Sequence, residues 1–141
     1  MKDMTIARKA LDSGDYTCVL CRDGETLTAT QRGVRPLLDW LDSSMDLTGF
    51  SAADRVVGRG AAFLYCLLGV KAVYARVMSH PAAEVLEKHG ISATADTVVP
   101  GIINHQGTGP CPIEEAVLAI SDPSEALTAI RARLAQLQKG V

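Results

Sequence analysis

The stretch at positions 107–115, which reads GTGPCPIEE, holds the most distinctive residues that could do chemistry. Glycines ahead of a helix start leave backbone N–H groups free for an anion, which predicts phosphate or carboxylate binding from Gly109 onward. A thiolate is favoured near a helix N-terminus, so Cys111 is a candidate nucleophile with Glu114 or His105 assisting. The alternative is a tight loop before an acidic, well-capped helix, with His105 as a solvated loop residue.

A second set of candidate residues lies around position 55. Arg55 and Arg59 are four residues apart, so they share a face of the helix predicted there. Two guanidinium groups beside small residues could hold a phosphate or carboxylate. The alternative is a pair of solvated arginines with Asp54 as a capping acid. The predicted ligand contacts are Asp54, Arg55, Gly58, Arg59, Ser79, Asn104, Gly109 and Cys111, and the predicted catalytic residues are Cys111 and Glu114.

The remaining cysteines do not indicate a metal site. Cys18 and Cys21 form a single C-x-x-C pair within a predicted strand, where residues three apart point to opposite faces. The second C-x-x-C pair of a structural zinc site is missing. We therefore expect one core cysteine, one cysteine at a strand end, and Cys66 in an apolar helix. No metal and no cofactor is predicted.

The elements that position these residues follow from the hydrophobic periodicity and the turn signals. A helix is predicted over 51–68 because Ser51 and Asp54 form an acidic S-x-x-D capping pattern, although Gly58 and Gly60 each disfavour it by about 1 kcal/mol. The other predicted elements are a helix at 3–13, a β-hairpin around Asp23-Gly24, helices at 34–41, 81–90, 112–120 and 124–139, and strands at 71–79 and 91–99.

The order of these elements predicts an α/β protein. Helices separate the later strands, which favours parallel crossovers with helices on both faces of one sheet. The predicted fold is a three-layer α/β/α sandwich whose mixed sheet begins with a β-hairpin. One domain is expected over 1–141, with a core at about 3–120 followed by the C-terminal helix.

Three stretches carry a resemblance to a known family: DRVVGRGAAFL at 54–64, VYARVMSHPAAEVLEKHGI at 73–91 and VPGIINHQGTGPCPIEEAV at 99–117. Together with the element order, they resemble the cytidine deaminase-like superfamily. The resemblance is closer to an uncharacterised bacterial and archaeal branch of domains of unknown function. It covers roughly positions 3–120 and implies the cytidine deaminase-like fold.

The sequence departs from the zinc-dependent deaminases of that superfamily at both metal motifs. Those enzymes carry H-x-E or C-x-E at one helix start and P-C-x-x-C at the next. The first motif position here reads DRVVGRGAA from Asp54, and the second reads HPAAEV from His80. The resemblance therefore implies that the zinc site is lost and that zinc-dependent deamination does not occur.

Composition excludes several other functions. Net charge is −2 and aromatic residues make up 4% of the chain, which argues against a nucleic-acid binder. The longest apolar stretch, 61–70, is too short to cross a bilayer, so no membrane partner is expected. The N-terminal residues lack the apolar segment of a secretory signal, which predicts a cytoplasmic protein with reduced cysteines.

Three functional hypotheses remain open. The first is a domain that kept its pocket without zinc and binds a small anionic ligand such as a nucleotide or nucleotide derivative. Nucleotides are named as ligands only by analogy with the cytidine deaminase-like fold. The second is a metal-independent enzyme that uses Cys111 as its nucleophile, and the third is a self-associating scaffold, for example a homodimer.

Overall fold

A computed structural model describes residues 2–103, 107, 109 and 111–139. Within them, a five-stranded mixed sheet has the strand order β2-β1-β3-β4-β5, and helices cover both of its faces. The predicted α/β sandwich with a leading hairpin is thereby confirmed. The elements are α1 (Lys2–Ser13), β1 (Cys18–Arg22), β2 (Glu25–Ala29), α2 (Arg35–Asp42), β3 (Ser51–Val57), α3 (Arg59–Leu68), β4 (Ala72–Ser79), α4 (His80–Lys88), β5 (Ser92–Val99), α5 (Pro112–Ala116) and α6 (Pro123–Lys139).

The central strand β3 is the main departure from the sequence-based expectation. The predicted helix over 51–68 is wrong in its first half, because residues 51–57 form this strand and the helix begins only at Arg59. β3 pairs antiparallel with β1 and parallel with β4. Ala52 and Ala53 are completely buried there. Alanine favours a helix in isolation, but burial between two strands overrides that weak preference.

Two short features were predicted closely. In the hairpin, Asp23 and Gly24 have φ values of 52° and 86°, as a tight two-residue turn requires. Cys18 and Cys21 belong to different hydrophobic clusters, so they lie on opposite faces of the sheet as expected. Like α3, α5 is shorter than predicted, since it ends at Ala116 rather than near position 120.

The helical layers on the two faces of the sheet differ in size. α1 alone supplies the helical side of one cluster, through Ala7 and Leu11 against Ala53 and Tyr74. The larger cluster on the other face includes residues of α2, α3, α4 and α6. Because β3, β4 and β5 are parallel, their carboxyl ends share one edge, and α3 starts there directly after β3. Among the residues described, no helix is long and apolar enough to cross a membrane.

Candidate functional site

A cavity of about 540 Å³ opens at the carboxyl end of β3. Its walls come from the start of β1, the segment before α2, the end of β3, the start of α3, and α5 with the residues before it. Ligand pockets typically measure about 300–1,000 Å³ and combine apolar walls with a few polar groups. The lining residues are Thr17, Cys18, Arg32, Gly33, Val34, Pro36, Leu37, Asp54, Arg55, Val56, Gly58, Ala61, Ile102, Ile103, Cys111, Pro112, Ile113 and Glu114.

Asp54 stands in this wall at the end of a short hydrogen-bond chain. The Tyr65 hydroxyl donates to Asp54 Oδ2 at 2.6 Å and lies 3.0 Å from Cys18 Sγ. Burial raises the pKa of Asp54 to about 6, although the hydrogen bond from Tyr65 and those from nearby backbone N–H groups act in the opposite direction. Burial, followed by the charge of Asp54, raises the pKa of both Cys18 and Tyr65, so these two groups stay protonated.

Arg55 follows Asp54 and is half-buried in the same wall. Its backbone N–H donates to the Thr17 carbonyl at 3.2 Å, which ties β3 to the start of β1. The side-chain Nε is buried and has no hydrogen-bond partner among the described residues. Buried polar groups are nearly always hydrogen-bonded, so an unpaired guanidinium N–H in a cavity wall calls for an explanation. Arg32 adds a second positive charge to this wall.

Glu114 lines the cavity, and its carboxylate binds the N-terminus of α3. Its Oε1 accepts a hydrogen bond from the Arg59 backbone N–H at 2.6 Å, and its Oε2 accepts one from Gly60 at 2.9 Å. The start of α3 has no cap from its own N-cap residue, Gly58. A carboxylate satisfies the free N–H groups of a helix start and interacts favourably with the helix dipole. Glu114 therefore caps a helix that begins 55 residues earlier in the chain.

Two glycines make this approach possible. A Cβ added to Gly58 would lie 2.6 Å from the Glu114 carboxyl carbon, and one added to Gly60 would lie 2.7 Å from Ile113 Cγ2. Both distances are shorter than real van der Waals contacts. The element that approaches these glycines is α5.

Arg59 does not act with Arg55, contrary to the expectation of a shared helix face. Arg55 is in β3, whereas Arg59 is the first residue of α3. The Arg59 guanidinium donates to the carbonyl oxygens of Val117 and Ile120 and lies over the Phe63 ring at 5.0 Å. Arg59 thus holds the segment after α5 against α3 and is not part of the cavity wall.

Ser79 has a local structural role. It is completely buried and is the N-cap of α4, where its hydroxyl accepts a hydrogen bond from the Ala82 backbone N–H at 3.1 Å. We expect Ser79→Ala to lower the free energy of unfolding by about 1 kcal/mol, because the cap is lost. Urea denaturation measures this effect. Ser79→Thr is the control, since it keeps the hydroxyl, and an equal loss in both variants would contradict the capping role.

The segment around Cys111 agrees only in part with the expectation. Cys111 is half-buried in the cavity wall and precedes α5, but its backbone N–H donates to the Ile102 carbonyl and is not free for a ligand. α5 has only five residues, too few for a strong N-terminal dipole. Gly109 is described but is not among the wall residues. The predicted contact Asn104 and the possible base His105 lie outside the described residues.

The two helix starts do not carry the donors of a deaminase zinc site. α3 begins with Gly58, Arg59 and Gly60, and none of these side chains is a zinc ligand. At the start of α4, His80 is exposed and its Nδ1 lies 3.7 Å from the carboxylate of Glu84. In the described ranges, no group of three or more His, Cys, Asp or Glu side chains could hold a metal ion.

Several residues of the cavity were not found from the sequence. Thr17 and Arg32 of the wall have no local motif, and neither has Tyr65, which is buried behind the wall and contacts Asp54. Cys18 was considered only as a core or strand-end cysteine. Tyr65 reaches Asp54 because α3 turns back over the strand that precedes it. The predicted continuous helix placed positions 54 and 65 three turns apart, so this contact required the correct strand assignment.

Comparison with solved structures identifies the fold. The crystal structure of a DUF1893 family protein (TM1506) from Thermotoga maritima has 24% sequence identity to this chain and a TM-score of 0.83, covering 96% of this chain and 90% of that one. The apo crystal structure of dCMP deaminase from the cyanophage S-TIM5 has 16% identity and a TM-score of 0.44, covering 67% of this chain and 94% of that one.

Sequence comparison points to the same family as the first structure. A family model described as TM1506, domain of unknown function (DUF1893), matches residues 6–134. No curated protein matches the sequence closely enough to count as a relative.

Proposed function

Because the chain belongs to the DUF1893 family of domains of unknown function, we propose a function from its own cavity, namely the binding of a small anionic ligand. The proposal takes the ligand's anionic group to be held by Arg55. Its remaining atoms lie against the aliphatic side chains of the wall.

The buried Nε of Arg55, which has no hydrogen-bond partner among the described residues, carries this proposal. Leaving a buried polar group without a partner is unfavourable by about 1–3 kcal/mol. A phosphate or carboxylate oxygen in the cavity supplies the missing acceptor, and a charge-assisted hydrogen bond to it is about twice as strong as a neutral one. Arg32, in the same wall, adds attraction for a negative charge.

The wall also indicates how the rest of the ligand is held. No described wall residue is aromatic. Stacking on an aromatic ring, which holds the base in many nucleotide sites, is therefore not available from these residues. Contacts with Val34, Leu37, Ile102 and Ile113 replace it, so the charged group supplies most of the orientation.

The resemblance to the cytidine deaminase-like superfamily makes nucleotides the first ligands to test. In this proposal the pocket has been kept and the zinc chemistry lost, since the motif positions lack metal ligands. The alternative of a Cys111 nucleophile is not advanced, because both carboxylate oxygens of its assisting residue Glu114 are hydrogen-bonded to the backbone of α3.

Isothermal titration with adenosine monophosphate, cyclic adenosine monophosphate and inorganic sulfate tests the proposal. We expect at least one of these anions to bind, and Arg55→Ala to weaken its binding about tenfold or more, because a charge-assisted hydrogen bond of about 1.5–3 kcal/mol is lost.

The matched control is Arg131→Ala. Arg131 is an exposed arginine of α6 that pairs with Asp42 at 2.7 Å, outside the cavity wall. Its loss should leave binding unchanged. Absence of binding by all three anions, or equal weakening in the two variants, would overturn the proposed function.

A further inference from the structure

Asp54 is one of two carboxyl groups in the described cavity wall, and the proposed function does not use it. The other wall carboxyl, Glu114, has both oxygens engaged by the start of α3. Asp54 Oδ2 accepts a hydrogen bond from the Tyr65 hydroxyl at 2.6 Å. A carboxylate is unfavourable in the wall of a cavity that receives an anion, because the two negative charges repel each other.

The groups around Asp54 supply little positive charge to offset this repulsion. β1 contributes the Cys18 thiol and α3 contributes the Tyr65 hydroxyl, and both stay protonated. At the paired position of β4 lies Ala75, an apolar residue. The other charged or titratable wall residues are Arg32 before α2, Arg55 in β3, and Cys111 and Glu114 at α5. Of these four, only Arg55 is among the influences that set the ionisation of Asp54, and it acts through its backbone N–H rather than through its side-chain charge.

We propose that the cavity binds its anionic ligand together with one proton, which Asp54 takes up. This inference rests on the proposed function. A protonated Asp54 removes the repulsion and also turns the carboxyl group into a hydrogen-bond donor for the ligand. Because burial raises the pKa of Asp54 to about 6, its carboxylate can take up a proton close to neutral pH.

The expected consequence is tighter binding in acid. The probe is cyclic adenosine monophosphate, since its phosphodiester keeps a single negative charge over the whole range. We expect its dissociation constant to rise about tenfold for each pH unit above roughly pH 6.5, once the free protein has lost the Asp54 proton. Titration in two buffers of different ionisation enthalpy should show uptake of nearly one proton at about pH 7.5 and almost none near pH 4.5.

Asp54→Asn tests the assignment, because the amide cannot take up the proton. We expect binding by this variant to be independent of pH and to release or take up no protons. Asp96→Asn is the matched control. Asp96 also accepts a hydrogen bond from a tyrosine, Tyr74, at 2.6 Å, but it lies in β5 outside the cavity. Proton uptake in this control should equal that of the unmodified protein.

If Asp54→Asn does not fold, Tyr65→Phe provides a second test of the proposal. The Tyr65 hydrogen bond favours the ionised form of Asp54, so its removal should shift the midpoint of proton uptake to higher pH. Binding without proton uptake, uptake that persists in Asp54→Asn, or an unmoved midpoint in Tyr65→Phe would overturn the inference while leaving the proposed function intact. If none of the three anions binds at any pH, the proposed function itself fails.

Discussion

Replacing Glu114 with alanine is expected to lower the free energy of unfolding by about 2 kcal/mol, because α3 loses its only described N-terminal cap. Two hydrogen bonds disappear, from the backbone N–H groups of Arg59 and Gly60. The interaction of a carboxylate with the helix dipole is lost as well. Urea denaturation monitored by circular dichroism measures the change.

A double-mutant cycle that combines Glu114→Ala with Gly58→Ala tests whether the lost capping interaction causes the loss of stability. Gly58→Ala places a methyl group 2.6 Å from the Glu114 carboxyl carbon, so it should displace the cap and destabilise the protein by a similar amount. In the Glu114→Ala background the three atoms that lie nearest to this methyl group are gone. The backbone of Gly58 has φ −98° and ψ −177°, which alanine adopts freely. There Gly58→Ala should be neutral or stabilising by about 0.4–1 kcal/mol, since it restricts the unfolded chain.

Glu115→Ala is the control for this cycle. Glu115 is the neighbouring acid, but its side chain is 53% exposed and lies 3.9 Å from Arg133. Exposed ion pairs contribute about 0–1 kcal/mol, so a small effect is expected. If Gly58→Ala were equally destabilising with and without Glu114, the clash would lie elsewhere and the capping role would be refuted.

The second large effect concerns Asp54 and pH. Its pKa in the folded protein is about 6, whereas the ordinary value is 3.8, so the folded state binds the proton more tightly than the unfolded state. The resulting stability is fully present below about pH 4 and is lost as the pH rises through about 6. A shift of about two pH units corresponds to roughly 3 kcal/mol.

The measurement is the difference in unfolding free energy between Asp54→Asn and the unmodified protein. We expect the variant to gain up to about 3 kcal/mol relative to the unmodified protein between pH 4 and pH 7, since the asparagine has no charge to bury. The other titrating groups contribute equally to the unfolding free energies of the two proteins, so their contributions cancel in this difference. A difference that does not vary with pH would show that Asp54 ionises normally.

Asp46→Asn provides a control of opposite sign. Asp46 is exposed, and hydrogen bonds from Thr48 lower the pKa of its carboxyl group. This lowered pKa contributes stability at neutral pH that is lost in acid, so Asp46→Asn should be slightly less stable than the unmodified protein above its titration range.

Glu114 and ionised Asp54 have opposite effects on the stability of the folded protein. Glu114 stabilises the wall by capping α3, whereas ionised Asp54 lowers stability at neutral pH. A buried acid that opposes folding yet faces a cavity is a typical arrangement for a functional group. This contrast agrees with the role proposed for Asp54 in ligand binding and with a structural role for Glu114 as a helix cap.

Most of the fold could be predicted from local patterns along the chain. Alternation and turn residues identify the hairpin at Asp23-Gly24 and the strand β4. Helical spacing, with Pro81 at the start and Gly90 after the end, identifies α4. These signals are local because they arise from backbone conformation and from one buried face, which neighbouring residues reveal.

β3 and the cavity depended on contacts between distant segments. The sequence SAADRVV lacks clear alternation because both faces of this central strand are covered, so its alanines resembled a helix. Because of this incorrect helix assignment, Arg55 and Arg59 were expected to share one face of a helix. Once β3 is a strand, Asp54 meets Cys18 of β1 and Tyr65 of α3.

Of the nine candidate residues that the sequence identified, five line one cavity: Asp54, Arg55, Gly58, Cys111 and Glu114. Arg59, Ser79 and Gly109 are not in its wall, and Asn104 lies outside the described residues. The separate roles of the wall residues followed only from packing. Glu114 became a helix cap because α5 approaches two glycines, and Asp54 became a titrating group because burial removes its water. Hydration and the pairing of charges are properties of the folded surroundings, which no local spacing of residues encodes.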